Sequence, residues 1–91
     1  MTVVIQIGNS DDKLSQLDWS KFVRQVRNLV AKYGDVHFYG HSNPDVPWQN
    51  ACWVAEVEET QLEDLTNSLT ECRMFFKQDS VAMTCGQTTF I

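Results

Sequence analysis

Ninety-one residues, 43% of them hydrophobic and 11% aromatic, suffice for one hydrophobic core but not two, and they exclude an intrinsically disordered chain. The formal net charge of −5, from 12 acidic against 7 basic residues, opposes a function built on neutralising nucleic-acid phosphates. Cys52, Cys72 and Cys85 are too widely spaced for a zinc knuckle and too few for a disulfide framework, so reduced, buried thiols and no bound metal are expected.

The chain opens on Thr2-Val3-Val4-Ile5-Gln6-Ile7, a β-branched run closed by Gly8, which predicts a central strand. A polar loop follows over residues 8–13. Asp18 is a suitable N-cap, with Leu17 and Phe22 placed as a hydrophobic staple, so the first helix is predicted to begin there. Trp19, Phe22, Val23, Val26, Leu29, Val30 and Tyr33 recur at helical spacing, and Gly34 marks the end.

The second strand is predicted from Val36 to about His41, with Val36 and Phe38 on one face and His37, Tyr39 and His41 on the other. Ser42-Asn43-Pro44-Asp45-Val46-Pro47 is turn chemistry, because its prolines forbid a regular ladder. A third strand runs from about Ala51 to Val57. Thr60 and Glu63 form a capping box for a second helix whose apolar stripe is Leu62, Leu65, Leu69, Cys72 and Phe76. A fourth strand over Ser80–Thr84 then turns at Cys85-Gly86 into a short final strand, Thr88–Ile91.

The element order predicts an α+β fold of the ferredoxin-like βαββαβ kind: an antiparallel sheet, two helices on one face and a short C-terminal hairpin strand, all in one domain over residues 1–91. A right-handed crossover through the first helix makes strands one and two parallel, with strand three between them. Three connections then meet at one end of the sheet and bring together Asn9, Ser10, Asp11, Asp12, Trp48, Gln49, Asn50, Gln78 and Asp79. Loops held on a rigid scaffold commonly carry binding groups, although these residue types also serve ordinary turn and capping roles. The sheet face away from the helices is predicted to carry Val4, Gln6, His37, Tyr39, Cys52, Val54 and Ala82. That set is apolar enough to predict a cover: a homodimer or partner protein first, or else the terminal hairpin folded over it.

Specific chemistries find little support. His37 and His41, four residues apart on a strand, stand about 13 Å from each other, too far to share one metal ion. Cys52 would need His37 or Tyr39 as a neighbouring base to act as a nucleophile. Asp11 and Asp12 would repel the anion an acylphosphatase must bind. The third strand, Ala51-Cys52-Trp53-Val54-Ala55-Glu56, lacks the basic and aromatic signature of an RNA-recognition domain. No catalytic residue and no cofactor is expected.

Gln6-Ile7-Gly8-Asn9-Ser10-Asp11-Asp12-Lys13-Leu14, Pro47-Trp48-Gln49-Asn50-Ala51-Cys52-Trp53 and Gln78-Asp79-Ser80-Val81-Ala82 resemble segments of a group of short uncharacterised proteins from actinobacteria and their phages. The resemblance spans most of the chain and carries no established activity; it implies an intracellular bacterial setting and a protein that engages a host component. With no membrane-length apolar run, a cytoplasmic protein without a membrane partner is expected. The leading functional expectation is a non-catalytic protein-interaction module, such as a phage-encoded modulator of a host protein. The alternatives are a small enzyme or ligand-binding protein with a pocket at the loop end or a dimer interface, and an acidic DNA mimic built on Glu56, Glu58, Glu59, Glu63, Asp64 and Glu71.

Overall fold

The computed structural model describes residues 1–9, 11–43 and 48–91. It contains β1 (Thr2–Gly8), α1 (Gln16–Tyr33), β2 (Gly34–His41), β3 (Asn50–Val57), a 3-10 turn (Glu59–Gln61), α2 (Leu62–Phe75) and β4 (Ala82–Gly86). The result is an α+β fold with two helices and one four-stranded sheet in the order β2-β3-β1-β4. Every neighbouring pair of strands is antiparallel.

Alternation places Val3, Ile5 and Ile7 of β1 and Ala51, Trp53, Ala55 and Val57 of β3 on one buried face. Phe22, Val26 and Val30 of α1 and Leu65 and Leu69 of α2 join them in a single hydrophobic cluster, so both helices cover this face. Fully burying an aliphatic or aromatic side chain of this kind stabilises the fold by about 1.5–3 kcal/mol relative to exposure. Trp53 is the largest fully buried side chain, and its indole N–H has no hydrogen-bond partner among the described residues. The helices also meet each other directly: the Tyr33 and Ser68 hydroxyls lie 3.2 Å apart, and the Phe22 and Phe76 rings stand 5.0 Å apart.

The first helix begins earlier than its Asp18 signal suggested. Ser15 is the N-cap, its hydroxyl accepting the Asp18 backbone N–H at 3.1 Å, so Leu17 lies inside the first turn and is exposed rather than stapled. At the other end Gly34 does not enter the left-handed region; its φ of −148° and ψ of 177° lead α1 straight into β2. A glycine is needed there for space, because a Cβ would stand 2.7 Å from Val57 Cγ2 and 2.8 Å from the Glu56 carbonyl oxygen. The expected Thr60–Glu63 capping box does not form either. The 3-10 turn precedes α2, and Gln61 caps it without a side-chain hydrogen bond.

A register irregularity between Val36 and Phe38 alters one face of β2. Val36 stands opposite Ala55, but Phe38 stands opposite Val54 and Tyr39 opposite Trp53. The extra residue reverses the alternation beyond it, so Tyr39 belongs to the helix-covered face and Phe38 to the open one. Tyr39 therefore leaves the open-face set predicted from strict alternation. Its ring packs on Trp53 at 5.2 Å.

β4 lies beside β1, with Val4 opposite Thr84 and Gln6 opposite Ala82. The predicted hairpin at Cys85-Gly86 and final strand over Thr88–Ile91 are absent. A two-residue hairpin turn needs positive φ, and among the described residues no glycine adopts it. Residues 87–91 continue without strand pairing, with Phe90 and Ile91 exposed and the Thr88 hydroxyl against that of Thr2.

Candidate functional site

The connections at one end of the sheet are tied together by side chains. Asn9, only 2% exposed, donates from Nδ2 to the Leu14 carbonyl at 3.1 Å and to Gln49 Oε1 at 3.0 Å, while its Oδ1 accepts the Leu14 N–H at 3.0 Å. Its backbone N–H donates to the Gln49 carbonyl at 2.7 Å, and its carbonyl accepts the Asp12 N–H at 3.1 Å. Asp12 thereby closes a tight turn at φ 56°, a left-handed conformation that aspartate tolerates better than most residues.

Gln49 extends the network to α1. Gln16 Nε2 donates to Gln49 Oε1 at 3.1 Å, and Gln49 Nε2 donates to Gln16 Oε1 at 2.8 Å. On the β2–β3 side, the Ser42 N–H donates to the Asn50 carbonyl at 2.9 Å and the Asn50 N–H to the Ser42 hydroxyl at 3.1 Å. The loop after β1, the residues flanking the β2–β3 connection and the first turn of α1 thus share one frame, in which buried polar groups are paired as their desolvation requires.

A cleft of about 560 Å³ opens beside this frame. Its walls include Trp19 and Val23 from α1, Tyr39 and His41 from β2, Trp48 and Gln49 from the connection before β3, and Asn50 at the start of β3, together with Asp12. Trp48 is 48% exposed and Tyr39 43%, so both offer aromatic surface to solvent. The His41 ring lies 5.9 Å from that of Tyr39, and its Nδ1 contacts the Ser42 carbonyl at 2.9 Å. Aromatic faces beside amide donors and acceptors suit recognition by stacking and hydrogen bonding.

The nine loop residues expected to form a site divide among different tasks. Asp12, Trp48, Gln49 and Asn50 line the cleft, whereas Asn9 is buried scaffold. Gln78 is also scaffold: 7% exposed, it donates from Nε2 to the Phe76 carbonyl at 3.1 Å and from its N–H to the Arg73 carbonyl at 2.9 Å. Asp11 and Asp79 instead hold Lys13, at 3.5 and 2.9 Å, on another side of the loop. Lys13 pulls the Asp79 carboxyl below its ordinary range through the hydrogen bond and its charge, and the same contact raises the Lys13 ammonium. Ser10 lies outside the described residues, as do Pro44, Asp45, Val46 and Pro47.

Sequence reasoning did not assign Gln16, Trp19, Ser20, Val23, Tyr39 or His41 to this cleft. Trp19 and Val23 are four apart at the margin of the apolar stripe, a spacing that reads equally as core edge and as cleft wall. On the open sheet face, Val4, Cys52 and Val54 are half-buried and Gln6 exposed, with Phe38 now beside them; His37 is the inserted residue of the irregularity, exposed and without a register partner in β3. The Glu56 carboxyl is lowered first by the hydrogen bond from the Met1 ammonium and then by that from the Thr2 hydroxyl.

Tyr39 and Cys52 occupy opposite faces, which removes one of the two bases considered for that thiol. Cys85 is exposed, against the expectation of three buried thiols, while Cys72 is partly buried and its thiol is pushed upward by burial. Among the described residues no three His, Cys, Asp or Glu side chains stand together as metal ligands, and no helix is long and apolar enough to cross a membrane. No protein-family model and no curated protein sequence matches the chain.

Proposed function

We propose that the chain is a non-catalytic protein-interaction module that receives a segment of its partner in the loop-end cleft. The observation that carries this reading is the pairing of exposed aromatic surface, Trp48 and Tyr39, with walls tied by the Asn9–Gln49–Gln16 hydrogen bonds. Rigid aromatic anchors commonly dominate interface energetics because little conformational entropy is lost when they are covered. The cleft's amides would hydrogen-bond a partner's backbone, and Asp12 favours a neutral or cationic segment over an acidic one.

Several finer features belong to the same proposal. Assignment to the ferredoxin-like fold is supported by the β-α-β-β-α-β order together with the strand order β2-β3-β1-β4. A homodimer or partner covering the open sheet face is supported by Val4, Phe38 and Val54 standing in register there. A bacterial cytoplasmic setting and a phage-encoded modulator of a host protein are what the sequence resemblance supports.

The test uses wild type and a Trp48→Ala, Asp12→Ala double variant as baits in bacterial lysate, with Phe38→Ser as the open-face counterpart. A protein retained by wild type and Phe38→Ser but lost by the double variant is the expected result. Equal recovery by all three opposes the cleft. A second reading, a small-ligand site in the same place, is favoured by the cleft volume of about 560 Å³. Thermal stabilisation of wild type, but not the double variant, by a metabolite or nucleoside would favour it.

A further inference from the structure

A second cleft lies on the outer side of α1, away from the aromatic walls described above. It has a volume of about 800 Å³, and its lining includes Lys13, Asp18, Lys21, Arg24, Phe75 and Lys77. Four of the seven lysines and arginines in the chain line this one cleft, although the chain as a whole carries −5. Lys13 is engaged by Asp11 and Asp79, but among the described residues Lys21, Arg24 and Lys77 form no ion pair with a carboxylate. Local positive charge is therefore concentrated where the global charge is negative.

The aromatic wall is equally organised. Phe22 is fully buried; the Phe76 ring stands 5.0 Å from it, and the Phe75 ring 5.1 Å from Phe76 at an interplanar angle of 78°. This run of rings leads from the core to Phe75, which is 79% exposed at the cleft. Lys77 follows directly at φ 57°, closing α2 in the left-handed conformation, with its N–H on the Met74 carbonyl at 3.1 Å and the Gln78 N–H on the Arg73 carbonyl at 2.9 Å. Two backbone hydrogen bonds therefore hold the turn that carries Lys77 just after Phe75.

We propose that this cleft binds a mononucleotide-like ligand, its phosphate held by Lys21, Arg24 and Lys77 and its base laid against Phe75. Ammonium and guanidinium groups recognise phosphate by charge-assisted hydrogen bonds, and an aromatic ring accepts any base by stacking. The cleft volume lies within the range of small-molecule sites. Asp18 is the opposing charge in the lining and limits the site to ligands whose phosphate reaches the three unpaired cations.

The test is an amide NMR titration of the whole chain with adenosine monophosphate, inorganic phosphate, adenosine and a short polyglutamate peptide. Saturable shifts centred on Lys21, Arg24, Phe75 and Lys77 are expected with the nucleotide, at least fivefold tighter than with phosphate or adenosine alone. Phe75→Ala should weaken nucleotide binding at least fivefold, and Lys21→Glu with Arg24→Glu at least tenfold, with circular dichroism unchanged. Tighter binding of the peptide, equal binding of phosphate alone, or unchanged affinity in either variant overturns the proposal. The Trp48 indole signal stays unshifted by the nucleotide if the two clefts act separately, so this result and that for the loop-end cleft are read independently.

Discussion

Replacing Asn9 by alanine tests the frame of the loop-end cleft. The change removes three side-chain hydrogen bonds, two to the Leu14 backbone and one to Gln49. Leu14 is 7% exposed, so its N–H and carbonyl would be left buried without these partners. Each orphaned buried group costs about 1–3 kcal/mol, whereas Gln49 Oε1 keeps its bond from Gln16; a loss of about 3 kcal/mol follows. With a urea m-value of about 1 kcal/mol/M for a small domain, the unfolding midpoint should fall by about 3 M. Urea denaturation followed by tryptophan fluorescence reads this directly. Gln16→Ala, which removes only exposed amide contacts, should cost less than about 1 kcal/mol. A loss below about 1 kcal/mol for Asn9→Ala as well would refute the idea that Asn9 holds the loops together.

Gly34→Ala should destabilise by about 1–3 kcal/mol, because its Cβ would press on Val57 and the Glu56 carbonyl, and thermal unfolding would reveal an unaltered midpoint if the contact relaxes freely. The folded-state carboxyl of Asp79 lies below its ordinary 3.8 and the Lys13 ammonium above its ordinary 10.5. The pair therefore supplies stability that is present between these values, fades as pH falls through the lowered Asp79 value, and fades again as pH rises through the raised Lys13 value. Stability curves of wild type and Asp79→Asn should differ at neutral pH and converge in acid; a difference that grows in acid contradicts this sign. Exposed Cys85 should be alkylated by iodoacetamide before Cys72, whose burial disfavours the thiolate, as followed by peptide mass spectrometry. The reverse order would contradict the assigned environments.

The apolar periodicity of α1 was legible because Phe22, Val26 and Val30 must meet a single face, and the same constraint made β1 and β3 legible through Ile5 and Trp53. Caps were less so. Ser15 and Asp18 are both good capping residues, and only the hydrogen bond from the Asp18 N–H to the Ser15 hydroxyl separates them. The bulge near His37 was hidden because alternation assumes an uninterrupted ladder, and one inserted residue exchanged the faces of Phe38 and Tyr39.

That exchange also changed the candidate site. Tyr39 left the open sheet and joined a cleft wall that includes Trp19, a residue read from sequence only as part of a helix stripe. Asn9 and Gln78 looked like surface recognition groups because Asn and Gln are polar, yet their hydrogen bonds are spent on backbone groups inside the loops. The placement of Asn9 also depended on a partner far along the chain, Gln49, which local sequence does not identify.

The most direct measurement of the central claim is photo-crosslinking in bacterial cells, with a benzophenone-bearing phenylalanine analogue placed at Trp48 in one protein and at Phe38 in another. If the loop-end cleft receives the partner, the probe at Trp48 gives a defined heteromeric adduct that the Asp12→Ala change weakens, while the probe at Phe38 gives none with that partner. An adduct formed with the same partner only from Phe38, across the open sheet face, would contradict the account.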